Sequence, residues 1–164
     1  MYKENRLPQS AAEGIIFMLV ISFISVNTIA PIIMFMEIGL SLQTYVEFFK
    51  IMPIMWIIVI LLVRFAAGPL IGKIMPKFQG ETDGFNARIL LNIVMNVTIL
   101  SLTLTVIGTW VGSREISTDI FTRFFPTWFR NFGIAFWIEV IVAQPIARFL
   151  MVKIHENKAG KIAA

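Results

Sequence analysis

Between Glu13 and Glu37 the chain runs 23 residues without a charge, Gly14 to Met36, and between Arg88 and Arg114 another 25, Ile89 to Ser113. A bilayer's hydrocarbon core is about 30 Å thick and takes roughly 20 apolar residues at 1.5 Å rise to cross. Two further apolar regions are of crossing length. One runs from Ile51 to about Ile71 with Arg64 inside it, the other from Asn131 to about Val152 with Glu139 inside it and Arg148 near its end. The first stretch outruns the usual apolar region of a signal peptide, and its small-residue step Thr28-Ile29-Ala30 is followed by Pro31, so it is expected to remain as a helix. The pattern predicts an all-α membrane protein with four transmembrane helices, at about 14–36, 51–71, 89–113 and 131–152. Around them lie an N-terminal segment 1–13, a linker 77–88 and a basic tail 153–164.

Composition agrees. Of 164 residues, 57% are hydrophobic and 15% charged, where a soluble domain has about 25% charged. An 18.6 kDa globule has too little interior to hide that surplus, so the solvent is largely lipid. The chain has no cysteine, which excludes disulfides, thiolate metal sites and cysteine nucleophiles. Its one histidine, His155, sits in the charged tail.

Sidedness follows from lysine and arginine. Four crossings put both termini and the middle linker on one side, with nine basic residues: Lys3, Arg6, Lys73, Lys77, Arg88, Arg148, Lys153, Lys158 and Lys161. The other side has Lys50, Arg114, Arg123 and Arg130. The termini are therefore expected in the cytoplasm. Basic flanks beside anionic headgroups account for the net charge of +4 without a nucleic-acid partner.

A shift of 76 residues lays one half of the chain over the other. Ser41 to Phe49 falls on Ser117 to Phe125, with Tyr45 on Phe121 and Phe48-Phe49 on Phe124-Phe125; Ser22, Ser25, Ala67 and Pro69 fall on Thr98, Ser101, Ala143 and Pro145. Apolar composition alone does not align a serine, two phenylalanines and a proline. Two tandem units, 14–76 and 89–152, are expected, each with two crossings and hence in parallel orientation. Ser41 and Ser117 are the expected N-caps of a short aromatic helix lying in the outer headgroup layer of each unit; the alternative is a plain loop anchored by its aromatics.

Met95-Asn96, Trp128-x-x-Asn131-Phe132 and Ala143-Gln144-Pro145-Ile146-Ala147, with the weaker first copy Trp56 and Ala67-Gly68-Pro69-Leu70, resemble the small bacterial membrane proteins of domain-of-unknown-function family 2798. The resemblance covers about Ala12 to Met151. The first copy departs from it where Gly68 stands in place of Gln144 and where Ala30-Pro31 has no counterpart. It implies the fold and a bacterial cytoplasmic (inner) membrane. The family has no established activity, so no catalytic or ligand residue carries over.

A charge at membrane depth costs about 2.5–3.5 kcal/mol on insertion scales and is usually partnered. Glu139 lies midway between Arg130 and Arg148, and the 76-residue shift places Arg64 one residue from it, at nearly the same depth. An ion pair between the second and fourth helices is the simplest compensation, either as a register lock or beside a solute or proton pathway. The alternative is Arg64 reaching towards the headgroups while Glu139 carries a proton. Asn92 and Asn96 share a helix face, and with Asn27 and Gln144 they are candidates for a polar cavity; interhelical hydrogen bonding is the plainer reading. Pro31, Pro69 and Pro145 are candidate kinks. The scattered methionines are packing residues, and no metal site, cofactor or catalytic constellation is expected. Two functions follow: a small-solute transporter or channel working as a homodimer, or a non-catalytic accessory protein binding another membrane protein or lipid. A cavity reaching the Arg64–Glu139 level separates the two.

Overall fold

The structure, a computed structural model, describes residues 4–163. Lys3, one of the nine basic residues on the terminal side, lies outside the described residues, and so does the side chain of Lys161. Among the described residues all regular structure is helical. Four helices are long and apolar enough to cross a membrane: Ala11–Ile38, Leu42–Phe78, Phe85–Ser113 and Phe124–Gly160. Each exceeds its charge-free stretch, because a helix does not end where the hydrocarbon ends. Its outer turns carry the charged flanks into the interface.

The first crossing is α1 (Ala11–Ile38), capped by Ser10, whose hydroxyl accepts from the Glu13 amide at 3.3 Å. Gly39, at φ +88°, ends it in a left-handed conformation that suits glycine. Ser41 is the expected cap of the next helix and accepts from the Thr44 amide at 3.0 Å. The second crossing is one continuous helix made of α2 (Leu42–Leu62), a π-helical segment Val63–Ala67 and α3 (Gly68–Phe78). The aromatic segment 45–49 thus forms the opening turns of the crossing helix itself. After α4 (Phe85–Ser113), the corresponding segment holds only the four-residue α5 (Asp119–Thr122) before α6 (Phe124–Ile138). Here Ser117 is not the cap: Thr118 holds that position, and the Ser117 hydroxyl accepts from the Asp119 amide at 3.1 Å. The fourth crossing continues through a second π-helical segment, Glu139–Ala143, into α7 (Gln144–Ala163).

The two π-helical segments are five residues each, start 76 residues apart, and are each followed two positions later by proline, Pro69 and Pro145. A proline ring inside a regular helix collides with the carbonyl four residues earlier. Widening the turn just before it relieves the collision, and the amides of Gly68 and Gln144 bond back five residues, to Val63 and Glu139. The prolines are thus absorbed by local π geometry.

The crossings pack in a ring in chain order, each chiefly against two neighbours, so the fourth closes on the first. The terminal end of the bundle is solid. Ala67, Ala143, Ala147 and Met151 are fully buried, with Ile71 and Ile93 at 5% exposure. Small residues after each π segment let the helices approach closely there. The two ends of the chain meet at this end: Glu13 accepts from Lys158 Nζ (2.5 Å) and lies 3.0 Å from His155 Nε2, and His155 Nδ1 lies 2.9 Å from the Asn5 carbonyl. Arg6 lies over the Phe85 ring at 4.7 Å.

Candidate functional site: a chamber ending at Glu139

Away from the terminal end the ring is open at its centre. A chamber of about 200 Å³ is lined by all four crossings, through Ser22, Ser25 and Ile29 of α1, Met55 and Val59 of α2, Val97, Ser101 and Thr105 of α4, and Asn131, Ala135 and Glu139 of the fourth. The helical period explains the selection. Residues 22, 25 and 29, residues 97, 101 and 105, and residues 131, 135 and 139 are each three or four apart, and each set forms one stripe on its helix. The chamber shares Met34, Glu37, Gly108, Thr109 and Gly112 with a second space of about 390 Å³ at the connecting-loop end, bordered by Arg123, Thr127 and Arg130. The two form one recess, open at the loop end and stopped at the terminal end by the packed alanines.

At the mouth, Arg130 Nη2 donates to Glu37 Oε1 at 2.7 Å, tying the fourth crossing to the first. The same nitrogen reaches Asn131 Oδ1 at 3.2 Å, while Asn131 Nδ2 donates to Thr105 Oγ1 at 3.2 Å. Asn131 is 7% exposed and Thr105 2%, so this relay from α1 through α6 to α4 is desolvated along its inner part. Lower down, Trp128 Nε1 donates to Ser101 Oγ at 2.9 Å.

At the floor, Ser25 Oγ donates to Glu139 Oε1 at 2.6 Å. Ser25 lies at the midpoint of α1, and Glu139 opens the π segment about 13 Å, nine residues, below Arg130. No other hydrogen-bond donor and no basic side chain reaches the Glu139 carboxylate among the described residues. The expected ion pair with Arg64 is not formed. Arg64 is exposed on the outer surface of the second helix, and the residue on the chamber side is its neighbour Val63. One residue is 100° of helix rotation, so equal depth did not bring equal facing. Val63 also falls on Glu139 under the 76-residue shift, and both line the chamber.

The four amides expected in a polar cavity lie elsewhere. Asn27 Nδ2 donates to the Phe23 carbonyl of its own helix at 2.7 Å, and Asn96 Nδ2 donates to Asn92 Oδ1 at 3.0 Å. Asn92 Nδ2 contacts Met75 Sδ, and Gln144 Oε1 accepts from Arg148 at 3.2 Å. None of them lines the chamber. An amide that finds a partner one turn away on its own helix has no reason to face a cavity. The chamber's uncharged polar groups are instead the serines already matched between halves, together with Thr105, Thr109 and Asn131. The i, i+4, i+8 spacing of Asn131, Ala135 and Glu139 was the available signal for Asn131.

No group of three or more acidic, cysteine or histidine side chains is arranged to hold a metal among the described residues. No curated protein and no solved structure matches the chain. Residues 86–155, which hold nearly all of α4, the aromatic connection and the fourth crossing down to His155, match the family described as Domain of unknown function (DUF2798).

Proposed function

We propose that the protein is a small-solute transporter or channel of the bacterial cytoplasmic membrane, with both termini in the cytoplasm. The observation that carries this reading is the recess between the four crossings, open at the loop end and ending at an intramembrane carboxylate. A bundle serving only as an anchor or scaffold gains nothing from an unpaired carboxylate at mid-depth, where such a group costs about 2.5–3.5 kcal/mol. Ionisable residues placed on a cavity inside a membrane commonly mark a pathway. The packed alanines and Met151 at the terminal end are then the closed side, and the nine-to-four basic asymmetry of the sequence supports a cytoplasmic location for that side.

The architecture we infer is two tandem two-helix units in parallel orientation. Supporting it are π segments, buried alanines and prolines that recur at one spacing of 76 residues. The aromatic openings of the second and fourth crossings, with Tyr45, Phe49, Phe121 and Phe125 exposed, lie in the outer headgroup layer. The working unit is a homodimer whose contact covers the Arg64 face, because an exposed guanidinium on a crossing helix gains from polar neighbours that lipid tails do not supply. No reaction is catalysed in this reading.

The test is flux in proteoliposomes screened over inorganic ions, organic cations, organic anions and neutral metabolites. At least one class should cross faster than in empty vesicles, and the added flux should fall on Glu139→Gln. A screen in which no solute exceeds empty vesicles overturns the reading and favours the accessory protein.

A further inference from the structure

We propose that the chamber binds a small protonated amine with an apolar body, its ammonium group on Glu139 and its body against the chamber walls. The proposal names the solute for the transport reading and rests on the same recess.

Charge comes first. Of the described residues lining the chamber only Glu37 and Glu139 are charged, and both are acidic. Glu37 is taken by Arg130. Among the described residues Glu139 is left with one serine hydroxyl on Oε1 and no donor on Oε2. A carboxylate with half its acceptor capacity idle in a low-dielectric site gains more from a cationic donor than from any neutral one. The basic residues of the mouth do not compensate it: Arg130 is neutralised by Glu37, and Arg123 is exposed, where its field is screened.

Next comes the kind of cation. A hard metal ion asks for about six or more oxygen ligands, or at least several carboxylates. Among the described residues no group of three or more acidic, cysteine or histidine side chains is arranged for one. One carboxylate with nearby hydroxyls suits instead an ammonium group, whose three hydrogens take one anion and neutral oxygens. Ser22 and Ser25 of α1 and Ser101 of α4, with Thr105 and Thr109 nearer the mouth, are hydroxyls lining the chamber on the two helices flanking Glu139. The rest of the lining near the floor is Val26, Val59, Val63 and Val97, which offers an aliphatic body its favoured surroundings.

Size follows from volume. An apolar cavity of about 150 Å³ takes up benzene. The chamber's 200 Å³ therefore holds a six-carbon ring with a short aminomethyl arm, which makes benzylammonium the probe of choice.

The experiment is calorimetric titration of the purified full chain in detergent micelles with benzylammonium chloride, and separately with benzyl alcohol, each against empty micelles. Benzylammonium is expected to bind, and benzyl alcohol to bind at least about tenfold more weakly, since a hydrogen bond to a charged group is worth at least that factor. Glu139→Gln should weaken benzylammonium by a similar factor while leaving benzyl alcohol unchanged. Gly108→Leu keeps the carboxylate and fills the chamber, and should weaken both ligands; it also serves if Glu139→Gln does not fold. Absence of benzylammonium binding, equal binding of amine and alcohol, or full amine affinity in Gly108→Leu overturns the proposal. Binding is read without flux. Thus an amine that binds but does not cross leaves this inference standing and defeats the transport reading, and flux of another solute without amine binding does the reverse.

Discussion

If Arg64 and Glu139 do not meet, their removal must add. The perturbation is the set Arg64→Leu, Glu139→Leu and the double variant. In a buried ion pair, losing one partner costs about 3–5 kcal/mol and losing both is nearly neutral, so the coupling would be several kcal/mol. Here Arg64 is exposed and the carboxylate is held by Ser25 alone at 2.6 Å. Arg64→Leu removes no contact from the bundle interior and should shift folded stability by no more than about 0.5 kcal/mol. Glu139→Leu forfeits a charge-assisted hydrogen bond of roughly 1.5–3 kcal/mol and recovers part of it by no longer desolvating a carboxylate. The double variant should therefore match the sum of the two within about 0.5 kcal/mol. Unfolding in mixed micelles, followed by the fluorescence of the four tryptophans, measures all three. A coupling of about 3 kcal/mol, with the double variant recovering what the single ones lose, would show that the side chains pair and that Arg64 turns inward.

Three further outcomes follow from the geometry. Asn131→Leu removes the donor to Thr105 and one acceptor of Arg130, and should lower stability by about 0.6–1.7 kcal/mol in the same assay, the range of interhelical hydrogen bonds in membranes; an unchanged midpoint refutes the relay. Because the chain has no cysteine, Phe65→Cys, at 73% exposure beside Arg64, is a clean reporter of the dimer contact. Oxidation in native membranes should give a disulfide-linked dimer, and a monomer band alone removes that contact. A reporter fused to the C-terminus should be active only in the cytoplasm, and one inserted at Ser113 only outside; the opposite result reverses the recess.

Much of the fold was legible because charge bounds a crossing helix. Glu13 and Glu37, or Arg88 and Arg114, bracket stretches that only a bilayer accommodates, and the observed helices contain all four predicted spans. The bounds fell short where helices run on into the interface, as at Leu42 and Phe78, because Lys50 and Lys73 mark the edge of the apolar stretch and a charged flank does not end a helix; the cap at Ser41 did mark the start. The π segments were not legible. Their residues, Val63–Ala67 and Glu139–Ala143, have no distinguishing propensity, and only the prolines that follow hint at a widened turn. The site was half legible. Glu139 and the paired serines were visible as polar positions in apolar helices, but depth was read more surely than direction. Arg64 and Val63 have the same depth and differ by 100° in facing, and the amides were misplaced because satisfaction by their own helix leaves no trace in spacing.

The central claim is a recess open at the loop end and closed at the terminal end, and single cysteines in the cysteine-free chain test it most directly. Thr109→Cys near the mouth and Ser25→Cys at the floor both line the chamber, whereas Ala147→Cys lies in the packed end at 0% exposure. A membrane-impermeant quaternary-ammonium thiol reagent, whose charge suits the acidic chamber, is applied to intact cells and, separately, to inside-out vesicles. Positions 109 and 25 should react from the outside, and position 147 from neither side. An unreactive position 25, or a position 147 that reacts from the cytoplasmic face while 109 does not, would contradict the account.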